Sequence, residues 1–285
     1  MIQYKVLQWA FSFLEKHRRE RVVAEILLQF YTRKSRDQFY ASMREQLPEH
    51  VVTKFKKAIK RHATLGIPVQ HITKEAFFYG RKFFVNEDVL IPRPETEELI
   101  EKVIADVREM LPKRNVTIVD IGTGSGIIAI TLALELPNAT LYATDISLAA
   151  LEVAKKNASA LGANVKFLHG SYLTPLIERK IELDYIVANP PYIAETERES
   201  LADTVVQFDP EIALFAANDG LAAYEQIVLD IKQMQAQKNQ RIFFEIGYRQ
   251  KEAVEAMLRN NLGVQTCTTY KDINGNDRIV FAVTG

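Results

Sequence analysis

The 285-residue chain has one cysteine, Cys267, so no internal disulfide can form, and a reducing, cytoplasmic location is expected. Cys267 lies in an apolar, β-branched stretch and is expected to be packed core. Only five histidines occur (His17, His50, His62, His71 and His169), and they are scattered without ligand spacing, which argues against a metal site. Long apolar runs are missing too. The patch from Val6 to Leu14 is broken by Gln8 and Ser12 and has its charges after it, so it fits neither a signal peptide nor a membrane span. There is no internal repeat, no low-complexity segment and no Gly/Ser-rich linker. Lys plus Arg (36) equals Asp plus Glu (36), so no overall charge steers the protein towards nucleic acid or membrane.

The charge that exists is unevenly placed. Residues 1–62 carry 14 basic and 6 acidic side chains, leaving 22 and 30 for the remainder. Solvated helix faces account for this, and so does a docking surface for an acidic or RNA-bearing partner.

Apolar spacing predicts three amphipathic helices near the start: one through Leu7, Ala10, Phe11 and Leu14, one through Val23, Leu27, Phe30 and Tyr31, and one from Pro48 to about Leu65. Gly66-Ile67-Pro68 closes this bundle, residues 1–75. An aromatic, extended stretch with Tyr79-Gly80-Arg81-Lys82 at a turn predicts a β-hairpin linker over 76–94. From Glu95 to the end, 95–285, helix and buried strand alternate. Thr96 is expected to cap a helix running to Met110, and a later helix is expected from Leu221 to Gln235. The last two strands, joined by Asn274-Gly275-Asn276, read as an antiparallel pair. The fold class is therefore α/β: a Rossmann-like, mostly parallel sheet with an antiparallel last strand and a small N-terminal helical bundle, its ligands held outside the carboxyl ends of the strands.

Two motifs fall at such ends. In Gly122-Thr123-Gly124-Ser125-Gly126 the missing Cβ atoms let a ligand lie on the backbone at a strand-to-helix turn. Its G-x-G-x-G spacing differs from that of dinucleotide binders. Asp145 ends the next strand, where a carboxylate can accept both hydroxyls of a ribose or cap the following helix. The second motif, Asn189-Pro190-Pro191-Tyr192, follows the apolar run Leu183 to Ala188. Two prolines fix φ and offer no N–H, leaving a stiff turn of acceptors. The Asn189 side-chain oxygen and the Pro190 carbonyl suit a conjugated NH2, and the Tyr192 ring could cover a planar group between them. A strand ending in a proline-rich turn is the plain alternative.

Together these features resemble the S-adenosylmethionine-dependent amino-methyltransferases. More closely, the chain resembles the protein-(glutamine-N5) methyltransferases that modify peptide chain release factors, the HemK/PrmC family. The likeness runs nearly end to end through Leu90-Ile91-Pro92-Arg93-Pro94-Glu95-Thr96-Glu97, the glycine loop, Asn189 to Tyr192, Asn218-Asp219-Gly220-Leu221, Glu245-Ile246-Gly247-Tyr248 and Asp277-Arg278. Departures are His71 and Lys74, where the family usually has Tyr and Gly, and Gly170-Ser171-Tyr172, where Asp-Trp or Asp-Leu is common.

The resemblance implies S-adenosyl-L-methionine as cofactor, with Gly122 to Gly126 and Asp145 binding it, Asn189 contributing, and Tyr172 stacked beside the adenine. It further implies methylation of the GGQ glutamine of release factors, with Asn189 to Tyr192 holding substrate; the bundle over 1–75, which carries the charge excess and none of these groups, is expected to dock the substrate protein. A monomer without membrane or direct DNA binding is expected. The same acceptors would serve the exocyclic amine of adenine in DNA or RNA. Charge separates the two: between Ile193 and Asp219 there are seven acidic residues (Glu195, Glu197, Glu199, Asp203, Asp209, Glu211 and Asp219) against one basic, Arg198, which would repel a phosphate backbone.

Overall fold

A computed structural model describes residues 1–110, 114–201, 203–234 and 239–285. The chain divides into two units, one of residues 1–75 with 202–208, the other of 76–201 with 209–285. Residues 1–75 form five helices, α1 (Gln3–Lys16), α2 (Val22–Thr32), α3 (Arg36–Ala41), α4 (Glu49–Leu65) and α5 (Val69–Thr73), where three were expected. The short α3 is set by a reciprocal capping box between Ser35 and Gln38. Leu14, Leu27, Phe39, Phe55 and Ile59 form the buried centre of this unit. Lys74, where the resembled family usually has glycine, closes α5 with φ 59, a left-handed conformation that glycine adopts without strain.

A hairpin follows, β1 (Glu75–Phe78) and β2 (Arg81–Phe84). Tyr79 and Gly80 both have positive φ (49 and 70), as a two-residue turn between twisted strands demands. Its strands are short, so 85–94 is not part of it.

The rest alternates helix and strand: α6 (Glu95–Met110), β3 (Thr117–Ile121), α7 (Ile127–Glu135), β4 (Thr140–Asp145), α8 (Leu148–Leu161), β5 (Val165–His169), the short and unpredicted α9 (Thr174–Glu178) and β6 (Tyr185–Ala188). Between β6 and the next long helix lie unpredicted short elements, β7 (Ile193–Ala194), a 3-10 turn (Glu195–Ser200), α10 (Asp203–Phe208), α11 (Glu211–Leu214) and β8 (Phe215–Ala216). Then come α12 (Ala222–Gln233), β9 (Arg241–Glu245), α13 (Lys251–Leu262), β10 (Val264–Lys271) and β11 (Asp277–Thr284). The expected end of α12 at Gln235 lies outside the described residues.

The seven-stranded sheet has the order β10-β11-β9-β6-β3-β4-β5, with β11 alone running opposite to the other six strands. Alternate residues of each strand feed opposite faces. Ile118, Tyr185, Val187 and Phe243 join α6 and α7 on one face, while Val119, Ile186, Ala188 and Phe244 join α12 and α13 on the other. Cys267 is half-buried rather than core, because β10 is an edge strand. Among the described residues no helix is long and apolar enough to cross a membrane.

One ion pair ties helix to sheet. Asp106 of α6 accepts from the Tyr185 hydroxyl (2.7 Å) and from Arg241 Nε, both on central strands. Removing the carboxylate strands a cation whose side chain is only 9% exposed. Asp106→Ala should therefore lower the unfolding free energy by about 3 kcal/mol, and Asp106→Asn by less, in urea denaturation.

Candidate active site

β3 runs straight into the glycine loop. The N–H groups of Gly122 and Thr123 donate to the Thr144 carbonyl (2.9 and 3.0 Å), and that of Gly126 to the Thr123 carbonyl (2.8 Å). Gly122 and Gly124 have φ of +69 and +55, and a Cβ on either would meet nothing within 4 Å, so the backbone is open to a ligand. Gly126 serves packing instead: a Cβ there would lie 2.7 Å from Ile130 Cδ1 and 3.1 Å from Ala154 Cβ. Buried Asn157 pins the loop from α8, donating to the carbonyls of Ser125 and Phe84 (2.9 Å each) and accepting from the Phe84 N–H (2.7 Å).

Asp145 belongs to the same loop. One carboxylate oxygen accepts the Gly124 N–H (2.9 Å), the other the Ser147 N–H (2.8 Å). The cap of α8 is Ser147, whose hydroxyl accepts from the Ala150 N–H (3.1 Å), so the capping alternative for Asp145 is not what the fold uses.

Register aligns the rest. Ile121 pairs with both Thr144 and Ala188, and Ala188 with Phe244. One residue further on, Asp145, Gly122, Asn189 and Glu245 form a row across the carboxyl ends of four adjacent parallel strands. Asn189 Nδ2 donates to Thr96 Oγ1 (3.1 Å), and that hydroxyl donates to Glu245 Oε2 (2.8 Å). Thr96 is thus inside α6 with its side chain committed to β9, and is not the expected helix cap. Among the described residues nothing donates to Asn189 Oδ1.

Pro190 is buried and Pro191 partly so. The Tyr192 carbonyl accepts from Gln250 Nε2 (2.9 Å), while Gln250 Oε1 accepts the Gly247 N–H (3.0 Å). A Cβ on Gly220 would fall 2.1 Å from that carbonyl oxygen, so Asn218, Asp219 and Gly220, with φ of 53, 54 and 82, bring bare backbone against the turn. The Tyr192 ring packs against the second core cluster, and burial raises its pKa.

Tyr172 stands three residues past β5 with φ 42, half-buried against the same cluster. The acidic stretch is less bare than its count suggests. Arg198 pairs with Glu195 and Glu211 (2.7 Å each), and buried Asp209 accepts from Arg93 Nη2 (2.7 Å) and the Ile91 N–H (3.2 Å).

Residues 5–73 match the PrmC N-terminal domain and residues 104–211 the methyltransferase small domain. The release factor glutamine methyltransferase of Bacillus anthracis is 42% identical over 279 residues, covering 98% of each chain. That of Bacillus subtilis (strain 168) is 41% identical over 281 residues, covering 98% of this chain and 97% of the relative. The chain belongs to the release factor glutamine methyltransferase family. Among solved structures, the N-terminal domain of human METTL16 in complex with SAH has the same fold, with a TM-score of 0.52 at 16% identity, covering 92% of this chain and 93% of that one.

Two buried acids of this methyltransferase were given no role from sequence, although Asp120 interrupts the apolar strand β3 and Glu245 ends β9. Asp120, in Thr117–Ile121, accepts from Thr123 Oγ1 (2.6 Å) and the Ala129 N–H (3.2 Å) through one oxygen; the other is buried with no hydrogen-bond partner among the described residues. Burial pushes its pKa up from 3.8 to about 7, against the pull of those two bonds. Glu245 is raised from 4.5 to about 7, again mainly by burial. A folded-state pKa above the unfolded one favours the fold at low pH, and the benefit is lost as pH rises through the folded value. The stability advantage of wild type over Asp120→Asn should therefore shrink between about pH 4 and pH 7, by up to about 4 kcal/mol, in paired thermal melts. A difference that stays constant across this range would show that Asp120 is ionised in the fold.

Proposed function

We propose that this enzyme transfers a methyl group from S-adenosylmethionine to the side-chain amide nitrogen, N5, of the GGQ glutamine in peptide chain release factors. The observation that carries this reading is the Asn189 amide: its nitrogen is engaged by Thr96, so its oxygen is left as an acceptor beside the Pro190 carbonyl. A carboxamide nitrogen is a poor nucleophile because its lone pair is delocalised into the carbonyl. Two fixed acceptors holding both N–H bonds aim that lone pair and stabilise positive charge growing on nitrogen. S-adenosylmethionine, when bound, supplies an electrophilic methyl group on a sulfonium. The residues present fit such a cofactor: open backbone at Gly122 and Gly124 with Thr123, Ser125 and Gly126 shaping the turn, Asp145 for ribose hydroxyls, and the unpartnered Asp120 oxygen for an ammonium. Tyr172 is assigned to the adenine side on the family resemblance. The methylated amide, once cationic, is acidic enough to lose a proton to water, so no base inside the motif is needed.

Incubating the enzyme with labelled cofactor, a release factor and total RNA, then mapping the label, tests the substrate directly. Label on a glutamine supports the reading, and label on an adenine overturns it. Asn189→Ala should leave cofactor affinity within about tenfold in calorimetry while lowering kcat by roughly two to three orders of magnitude, the scale for one preorganised polar contact.

The N-terminal unit is proposed to dock the substrate protein and to take no part in chemistry. Lys54, Lys57 and Lys60 are exposed on α4, and Lys56 lies over the Trp9 ring at 5.0 Å. Exposed charge acts mainly on association rate and its salt dependence. Changing all four lysines to Glu should raise KM for an intact release factor and flatten its salt dependence, with kcat and activity on a short glutamine peptide unchanged. Equal loss with both substrates would make the unit a support for folding.

A further inference from the structure

Asn189 presents a side-chain amide whose two ends are nearly the same size, so sterics alone leave it free to turn over. A flipped amide would offer the substrate carboxamide a donor where the reaction needs an acceptor. What prevents the flip is a chain of two hydrogen bonds drawn from three distant parts of the sequence. Glu245, at the end of β9, takes the Thr96 proton (2.8 Å), and Thr96, in the first turn of α6, must then accept, which it does from Asn189 Nδ2 (3.1 Å). Thr96 and Glu245 are each 1% exposed, so water does not compete for either.

We propose, on the basis of the function above, that Thr96 and Glu245 are positioning residues for methyl transfer, fixing the Asn189 amide so that its oxygen faces the substrate. A carboxylate can only accept, so it dictates the direction of both bonds. A protonated carboxyl can donate to Thr96, which frees the hydroxyl to donate onward and admits the flipped amide. The groups facing the Glu245 carboxyl are Thr96 and Glu95 on α6, Asn189 and Tyr192 on the proline turn, and Arg278 on β11; the Tyr224 hydroxyl of α12 meets its main-chain carbonyl at 2.7 Å. Arg278 is also held by Asp272 (3.2 Å) and the Ile246 carbonyl (3.1 Å), so its charge is shared. With burial dominating and the pKa near 7, ordering of the amide weakens as pH falls through neutrality.

The test uses the full-length enzyme, a purified release factor and S-adenosylmethionine. Thr96→Val keeps the shape but removes both bonds; kcat should fall about 10- to 30-fold, while cofactor affinity stays near wild type. Thr96→Ser, which restores the hydroxyl, should stay within about threefold of wild type. In wild type kcat should decline below about pH 7, and Glu245→Gln, which cannot titrate, should lose that limb. Wild-type kcat in Thr96→Val, or the same decline in Thr96→Ser as in Thr96→Val, overturns the positioning role. An unaltered acidic limb in Glu245→Gln does so independently, even if the valine variant fails to fold. Wild-type enzyme inactive on the release factor would instead overturn the proposed substrate.

Discussion

The level ending of β4, β3, β6 and β9 is the constraint on which the site depends. Parallel strands in register leave a row of residues at one height, each displaced by a strand spacing of about 4.8 Å. Asp145, Gly122, Asn189 and Glu245 occupy that row, so a carboxylate, an open glycine, an amide and a second carboxylate lie side by side without any loop having to reach. A shift of one residue in any pairing would turn these side chains to the other face of the sheet. The two apolar clusters, one on each face, resist such a shift because it would expose one and overfill the other.

Given that row, the loops have a narrower task, which is to hold backbone still. The glycine loop is held at Thr144, Asp145 and Asn157, and the proline turn at Gln250 and Gly220. In each case a side-chain amide or carboxylate satisfies backbone groups that a loop would otherwise expose, and a glycine permits the approach. Rigidity matters here because an amide nucleophile reacts only when its orientation is fixed, and a loose acceptor would lose most of the advantage of proximity.

Much of this was legible in the sequence. The apolar run Leu183 to Ala188 located β6, starting two residues before the observed strand, and the strand ends and the glycine and proline motifs pointed to Gly122 to Gly126, Asp145 and Asn189. The misses share a physical cause. Thr96 reads as a helix cap because threonine at a helix start usually is one, and only the tertiary fold brings Glu245, 149 residues away, to compete for its hydroxyl. The short helices between β6 and α12 have too few residues for a periodic signal, and α3 rests on a capping box rather than on an apolar stripe. Counting acids along 193–219 overstated their field, since Arg198 and Arg93 answer three of them through contacts that sequence order does not reveal.

The two buried carboxylates show why such a site cannot also be optimised for stability. Asp120 and Glu245 each sit where burial favours the neutral form, which opposes folding at neutral pH if they are to be charged. Replacing either with an apolar residue would relieve that opposition at once. Yet an apolar residue at 245 cannot accept the Thr96 hydroxyl, and an apolar one at 120 offers no oxygen beside the glycine loop. The surrounding apolar faces are what keeps water from weakening the bonds those carboxyl groups make. Burial that makes each acid costly is therefore the same burial that makes its hydrogen bonds directional, and the strand ends are where the sheet can bear that conflict with least disturbance to its core.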